Sequence, residues 1–182
     1  LQDRTQISSN TAIGVDSVGG GLAVLGKASA DIGSPGSGVI GAIYDNEAGS
    51  GGGIAVVNDA AVSGTYATFV RLFTTDANRP VRVHGNRARR VGGAILVRPF
   101  NGELDFFPAQ ACVESGRIDT NTAQEGAAIY VDTDESLSQQ NLGGTFTFNA
   151  GCIGLPSTAE QGSIPCNPTA TGCNRIEHNM AR

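Results

Sequence analysis

Few residues in this chain have the types and spacing that chemistry requires. The one constellation resembling a site is Tyr44, His84 and Asp119, which occupy the same place two residues before an Asn in a recurring frame. If repeats of that frame stack in register, His84 sits between Tyr44 and Asp119, about 4.8 Å from each. The chemistry would be acid–base work, which needs carboxylates on neighbouring turns as acid and base, or calcium ligands beside a basic residue. Asp45 and Asp119 make a poor pair, because they lie two turns apart, about 10 Å, at different offsets from their Asn. Asp132-Thr133-Asp134-Glu135 is acidic enough for a loose calcium site but reads more simply as an exposed loop. No metal site and no cofactor are expected. Arg79, Arg82, Arg87, Arg89 and Arg90 form a local basic cluster that could bind an anionic glycan or a partner chain, or could simply solvate a turn. The plain reading of the whole constellation is a solvated face with favourable charge order, in which Glu47 stacks near Arg87. No nucleophile elbow, P-loop or His-Glu-x-x-His occurs.

The four cysteines are Cys112, Cys152, Cys166 and Cys173. They lack the paired spacing of a zinc site, and neither His84 nor His178 supports one. Their even number fits a disulfide-permissive, extracytoplasmic protein. Cys166 and Cys173 enclose a loop with Pro168 and Gly172 that can bring the ends together, which favours that bridge. Cys112 with Cys152 would be the second, although sequence does not fix connectivity.

Any such residues must be positioned by the frame itself, apolar-x-x-Asn-x-Ala. It occurs as Ile7 to Ala12, Ile43 to Ala48, Val83 to Ala88, Ile118 to Ala123 and Ile176 to Ala181. After the first three copies a glycine cluster feeds an aliphatic run, as in Gly19-Gly20-Gly21-Leu22, Gly51-Gly52-Gly53-Ile54 and Gly92-Gly93-Ala94-Ile95. Gly126-Ala127-Ala128-Ile129 is a worn fourth. A unit of a few tens of residues, repeated, signals a stacked architecture.

The Asn intervals are 36, 40, 35 and 58 residues. The long one either carries an insertion or hides a degenerate copy at Phe146-Thr147-Phe148-Asn149, which could equally be a glycine-fed strand after Gly143-Gly144. Each unit reads as a strand ending at the Asn, a tight turn, a strand of aliphatics and a longer strand-like segment such as Ala60 to Phe73. Three strands per unit describe one coil of a parallel β-helix. No window shows the sustained helical period of an α-solenoid, and a propeller blade needs about four strands in a slightly longer unit. In this reading Asn10, Asn46, Asn86, Asn121 and Asn179 form a structural ladder, each amide bonding its neighbours and each Asn tolerating a left-handed bend. The aliphatics fill the core.

Composition agrees. Glycine, at 26 residues, is roughly twice its usual share. The net charge of −5 argues against nucleic acid, whose binders need Lys and Arg along the phosphates. No apolar run reaches the roughly 20 residues that span a bilayer, so direct membrane insertion is not expected.

Gly92-Gly93-Ala94-Ile95 and Phe146-Thr147-Phe148-Asn149, with the Ile-x-x-Asn-x-Ala copies, resemble the repeats of bacterial parallel β-helix surface proteins, including polymorphic outer membrane proteins and autotransporter-like passengers. The resemblance covers nearly the whole chain and implies an all-β, right-handed parallel β-helix of five to six coils forming one domain over residues 1–182. It implies an extracellular or bacterial cell-surface location. The favoured role is non-catalytic: an adhesin passenger, stalk or filament-forming repeat with a protein or glycan partner. The alternative is a fragment of a polysaccharide-degrading β-helix enzyme using Tyr44, His84 and Asp119. The last copy stops at Ala181-Arg182, before any glycines, which reads as a fragment of a longer chain or as end coils that self-associate.

Overall fold

The computed structural model describes residues 6–26, 28–33, 41–58, 68–72, 80–101, 106–107, 109–113, 116–132, 145–148 and 175–182. All elements among them are strands. The three or four residues around each frame's leading apolar position form β1 (Gln6–Ser8), β4 (Ala42–Tyr44), β8 (Val81–His84), β14 (Gly116–Asp119) and β18 (Arg175–Glu177). They stack in that order as one parallel sheet. The aliphatic runs after the glycines form β2 (Leu22–Leu25), β6 (Ile54–Val57), β10 (Ile95–Arg98) and β16 (Ile129–Val131), a second parallel sheet. A third contains β3 (Ser29–Ile32), β7 (Thr68–Leu72), β13 (Ala109–Val113) and β17 (Thr145–Phe148).

A further kind of short strand appears where three per unit were expected, in every repeat but the first, whose Thr11 makes an isolated bridge to Glu47. The two residues after the Asn pair on their own as β5 (Glu47–Ala48), β9 (Arg87–Ala88), β15 (Thr122–Ala123) and β19 (Met180–Ala181). The chain bends so sharply at the frame that the residues on either side of the Asn belong to different sheets. One antiparallel hairpin, β11 (Phe100–Asn101) with β12 (Phe106–Phe107), stands outside the stack.

The bend corrects one expectation. The left-handed residue is the one before the Asn: Ser9, Asp45, Thr120 and His178 have φ of 57, 53, 55 and 54°, and Gly85 has 66°. The Asn instead closes the turn around that residue. Nδ2 of Asn86, Asn121 and Asn179 donates to the carbonyls of His84, Asp119 and Glu177 at 3.1, 2.9 and 3.0 Å. This helps to offset the left-handed strain, about 1–2 kcal/mol for a residue with a Cβ.

The asparagines form a continuous ladder. Nδ2 of Asn10, Asn46, Asn86 and Asn121 donates to Oδ1 of the next Asn at 3.0, 3.0, 3.0 and 2.9 Å. The backbone N–H of each donates to the same oxygen. Asn121 bonds directly to Asn179, so no coil intervenes. Phe146-Thr147-Phe148 is therefore not a sixth copy of the frame: β17 pairs with β13, Phe146 opposite Ala111, and completes the third sheet of the fourth unit. The 58-residue interval is one unit with an insertion.

The core lies between the three larger sheets and includes Ile43, Val83 and Ile118 from the first, Ile54, Val56, Ile95 and Val97 from the second, and Val70, Leu72 and Val113 from the third. The aliphatic runs do more than fill it. Ala55, Val57 and Leu96 alternate with the core residues and pack on the opposite face with Val18, Val91 and Tyr130. A sheet covered on both faces takes a continuous apolar run instead of an alternating one. The glycines before it permit close stacking: a Cβ on Gly93 would lie 2.2 Å from the Ala127 carbonyl oxygen and 2.7 Å from that of Thr122.

Length variation sits at the corners. Asn10 to Gly19 spans nine steps where Asn46 to Gly51 spans five, because Ile13-Gly14-Val15-Asp16 is inserted. Yet Thr11 still pairs with Glu47 and Val18 with Ser50. The Ser17 hydroxyl fastens the loop, donating to the carbonyls of Ala12 and Gly14 at 2.9 and 2.7 Å and accepting from Gly49 N–H at 2.9 Å.

Candidate functional site

Alternation along a strand puts residues two and four positions before each Asn on one face, away from the core. The nearer column runs Ser8, Tyr44, His84, Asp119, Glu177 in strict register. The farther column runs Gln6, Ala42, Arg82, Arg117, Arg175. Tyr44, His84 and Asp119 are thus brought together as the repeat spacing requires.

The Tyr44 and His84 rings stack with centroids 5.1 Å apart and planes 4° from parallel. The Tyr44 hydroxyl donates to Gln6 Oε1 at 3.0 Å. Asp119 is buried, with its side chain 6% exposed. Its Oδ2 lies 3.3 Å from Arg82 Nη2 and 2.6 Å from Arg117 Nε. Its Oδ1 accepts from the Thr120 hydroxyl at 3.2 Å. Arg117 also reaches Glu177, Nη2 to Oε1 at 2.8 Å. The result is a charge chain, Arg82, Asp119, Arg117, Glu177, across three units.

Two protonation equilibria respond. Burial alone would push the Asp119 carboxyl up, but the Arg82 hydrogen bond and charge, the Arg117 charge and the Thr120 hydroxyl outweigh it and hold the group below its ordinary value. His84 is also lowered, first by burial and then by the Arg82 charge, against the opposing pull of Asp119 and Asp45. Near pH 7 the pair is a carboxylate and a neutral imidazole. The carboxylate's oxygens are directed to arginines and a hydroxyl, and the imidazole face to a phenol ring. That arrangement braces a surface; an acid–base pair needs a carboxyl poised to exchange a proton with a bound substrate.

The basic cluster is dispersed. Arg82 belongs to the charge chain, and Arg90 Nη1 meets Asp16 Oδ1 at 3.2 Å in an exposed pair. Arg87 is exposed beside Glu47 and Thr122 in register, but Glu47 does not take it as its partner. Arg89 does, Nε to Oε1 at 3.0 Å, because its backbone N–H bonds to the Ala48 carbonyl and its side chain reaches back over the strand. Arg79 lies outside the described residues. Asp132 pairs with Arg98, Nε to Oδ2 at 2.8 Å, while residues 133–135 lie outside the described residues. Among the described residues no group of three or more His, Cys, Asp and Glu could hold a metal. Cys112 is buried on β13 and is not a free thiol; Cys152, Cys166 and Cys173 lie outside the described residues.

Arg117, Glu177, Thr120 and Gln6 complete the site. Glu177 was legible in the column of Asp119. Arg117 could have been found by extending the same register two residues back, since Arg82, Arg117 and Arg175 all precede their Asn by four. Among the described residues no helix is long and apolar enough to cross a membrane, which says nothing of a β-barrel. No protein family, curated protein or solved structure matches the chain.

Proposed function

We propose that the chain is a right-handed parallel β-helix of five stacked repeats that acts outside the cell as a non-catalytic stalk or adhesin passenger. The observation that carries this reading is the pairing of polar groups along the stack. The Asn ladder joins all five repeats internally, and on the outside Arg82, Asp119, Arg117 and Glu177 bind one another. A surface cross-braced in this way suits a rod that holds its shape. Cys112, which is not free, supports an oxidising compartment, with Cys112–Cys152 and Cys166–Cys173 as the proposed bridges. Recognition of a protein or glycan would fall to the variable outward residues.

The enzymatic alternative draws on the neutral His84 beside Tyr44 and Asp119 on one face. One assay separates the two. The purified chain is incubated with acidic and neutral polysaccharides while new reducing ends and unsaturated products are followed. No product is expected. Product formation that disappears in His84→Ala would overturn the non-catalytic reading. Small-angle scattering of the monomer should show a squat particle only about 24 Å along the stack, as five repeats at about 4.8 Å spacing require.

A further inference from the structure

The second repeat buries polar groups that the protein itself leaves unpaired. Asn58, directly after β6, is 2% exposed, and Thr68, the first residue of β7, is 0% exposed. Among the described residues, Asn58 Nδ2 and Oδ1 and Thr68 Oγ1 are buried without a hydrogen-bond partner, and no other neutral side chain is. Both belong to the inner face. Thr68 alternates into line with Val70 and Leu72 of the core, and Asn58 continues the line of Ile54 and Val56.

Register brings the two together. Leu25 lies opposite Val57, and the Gly26 N–H donates to the Val57 carbonyl at 3.1 Å, so Asn58 is stacked on Gly26. Ser29 lies opposite Phe69, and the Phe69 N–H donates to the Ala28 carbonyl at 3.1 Å, so Thr68 is stacked on Ala28. Gly26 and Ala28 are two residues apart in the chain, which holds them within about 7 Å of each other. Asn58 and Thr68, with residues 59–67 between them in sequence, therefore meet at one corner, between the second and third sheets. In the following repeat the matching positions are Pro99, next after the Arg98 carbonyl that accepts from the Asn58 N–H at 3.0 Å, and Ala109. Gly26, Ala28, Pro99 and Ala109 have no polar side chains, so the stacking that satisfies the Asn ladder is not available here.

We propose that Asn58 and Thr68 hold internal water between them, closing the second coil at this corner. The unpaired atoms identify the ligand. The Asn58 amide presents a donor and an acceptor, and the Thr68 hydroxyl can act as either, so the match is a neutral molecule that both donates and accepts. Nδ2 donates to the water, Oδ1 accepts from it, and Oγ1 takes a further bond, in keeping with the roughly three bonds a buried water makes. A cation would face the Nδ2 donor, and an anion the Oδ1 acceptor. The water supplies at this corner the bonds that the stacked asparagines supply at the other. The inference stands on register and burial and is independent of the stalk reading.

The test combines a high-resolution crystal structure of the chain with a double-mutant cycle. Ordered water should lie within hydrogen-bond reach of both Asn58 and Thr68. Thr68→Val, which keeps the shape and removes the hydroxyl, should lower the melting temperature by about 2–4 °C, the worth of one hydrogen bond in a chain of this size. Asn58→Leu should lower it as well, and the double variant should fall by less than the sum, because either change alone releases the water. A dry corner, a direct bond between Asn58 and Thr68, or a density held by oxygens alone at metal-ligand distances overturns the proposal. So does a Thr68→Val variant that melts no lower than the wild type, since removing an unbonded buried hydroxyl relieves a cost. Where Asn58→Leu does not fold, the crystal structure and Thr68→Val decide.

Discussion

His84 and Asp119 make stability depend on pH in the same direction, through two windows. His84 binds its proton less readily when folded than its ordinary value of 6.5 allows. As pH falls below about 6.5 the unfolded chain takes the proton first, so stability declines until the folded imidazole is also protonated. Asp119 contributes stability that is fully present above its unfolded value of 3.8 and is lost as pH falls through its lowered folded value. Denaturant titrations between pH 7 and pH 3 should therefore show two successive losses, with His84→Gln abolishing the first. Asn86 tests the ladder itself. It is fully buried and makes hydrogen bonds to Asn46, Asn121, Ile43 and His84. Asn86→Ala leaves several buried groups unpaired, and a loss of about 3 kcal/mol is expected in chemical denaturation. The same change at exposed Asn10 should cost less than about 1 kcal/mol.

Single elements show why the glycine clusters precede the aliphatic runs. Gly93 has no positive φ, so its requirement is one of space, set by the carbonyls of Ala127 and Thr122. Gly93→Ala should cost about 1–3 kcal/mol, since backbone from the next unit must move. Gly85 faces a different constraint: φ of 66° and Asp45 Oδ1 where its Cβ would sit. The five Asn copies and their spacing were enough to read the stack, the column of Tyr44, His84 and Asp119, and the ladder. Three things were not legible. Phe146-Thr147-Phe148 fits two templates as a string, and only its pairing with β13 decides between them. The left-handed position hosts Ser, Asp, Gly, Thr and His, so no residue type marks it. The partner of Glu47 depends on how an arginine side chain crosses a bend, which strand register does not specify.

At the scale of the molecule, strands sit directly over their equivalents and each unit touches mainly its neighbours, so stability adds up along the stack. Hydrogen exchange should be slowest in β8, β10 and β13, which are paired on both sides, and faster in β1 and β18 at the edges. Equal protection from end to end would contradict an additive stack.

The insertion at Ile13-Gly14-Val15-Asp16 shows how such a chain can change without losing its fold. Vertical pairing resumes on both sides of it, and Ser17 pins its base, so the corner behaves as a socket for foreign sequence. Exchanging those four residues for a longer Gly/Ser segment should shift stability by less than about 1 kcal/mol, the worth of an exposed Asp16–Arg90 pair and a modestly longer loop. A protein built this way can vary what it displays at its corners almost independently of its scaffold, and an engineered epitope placed there should be presented without renegotiating the core.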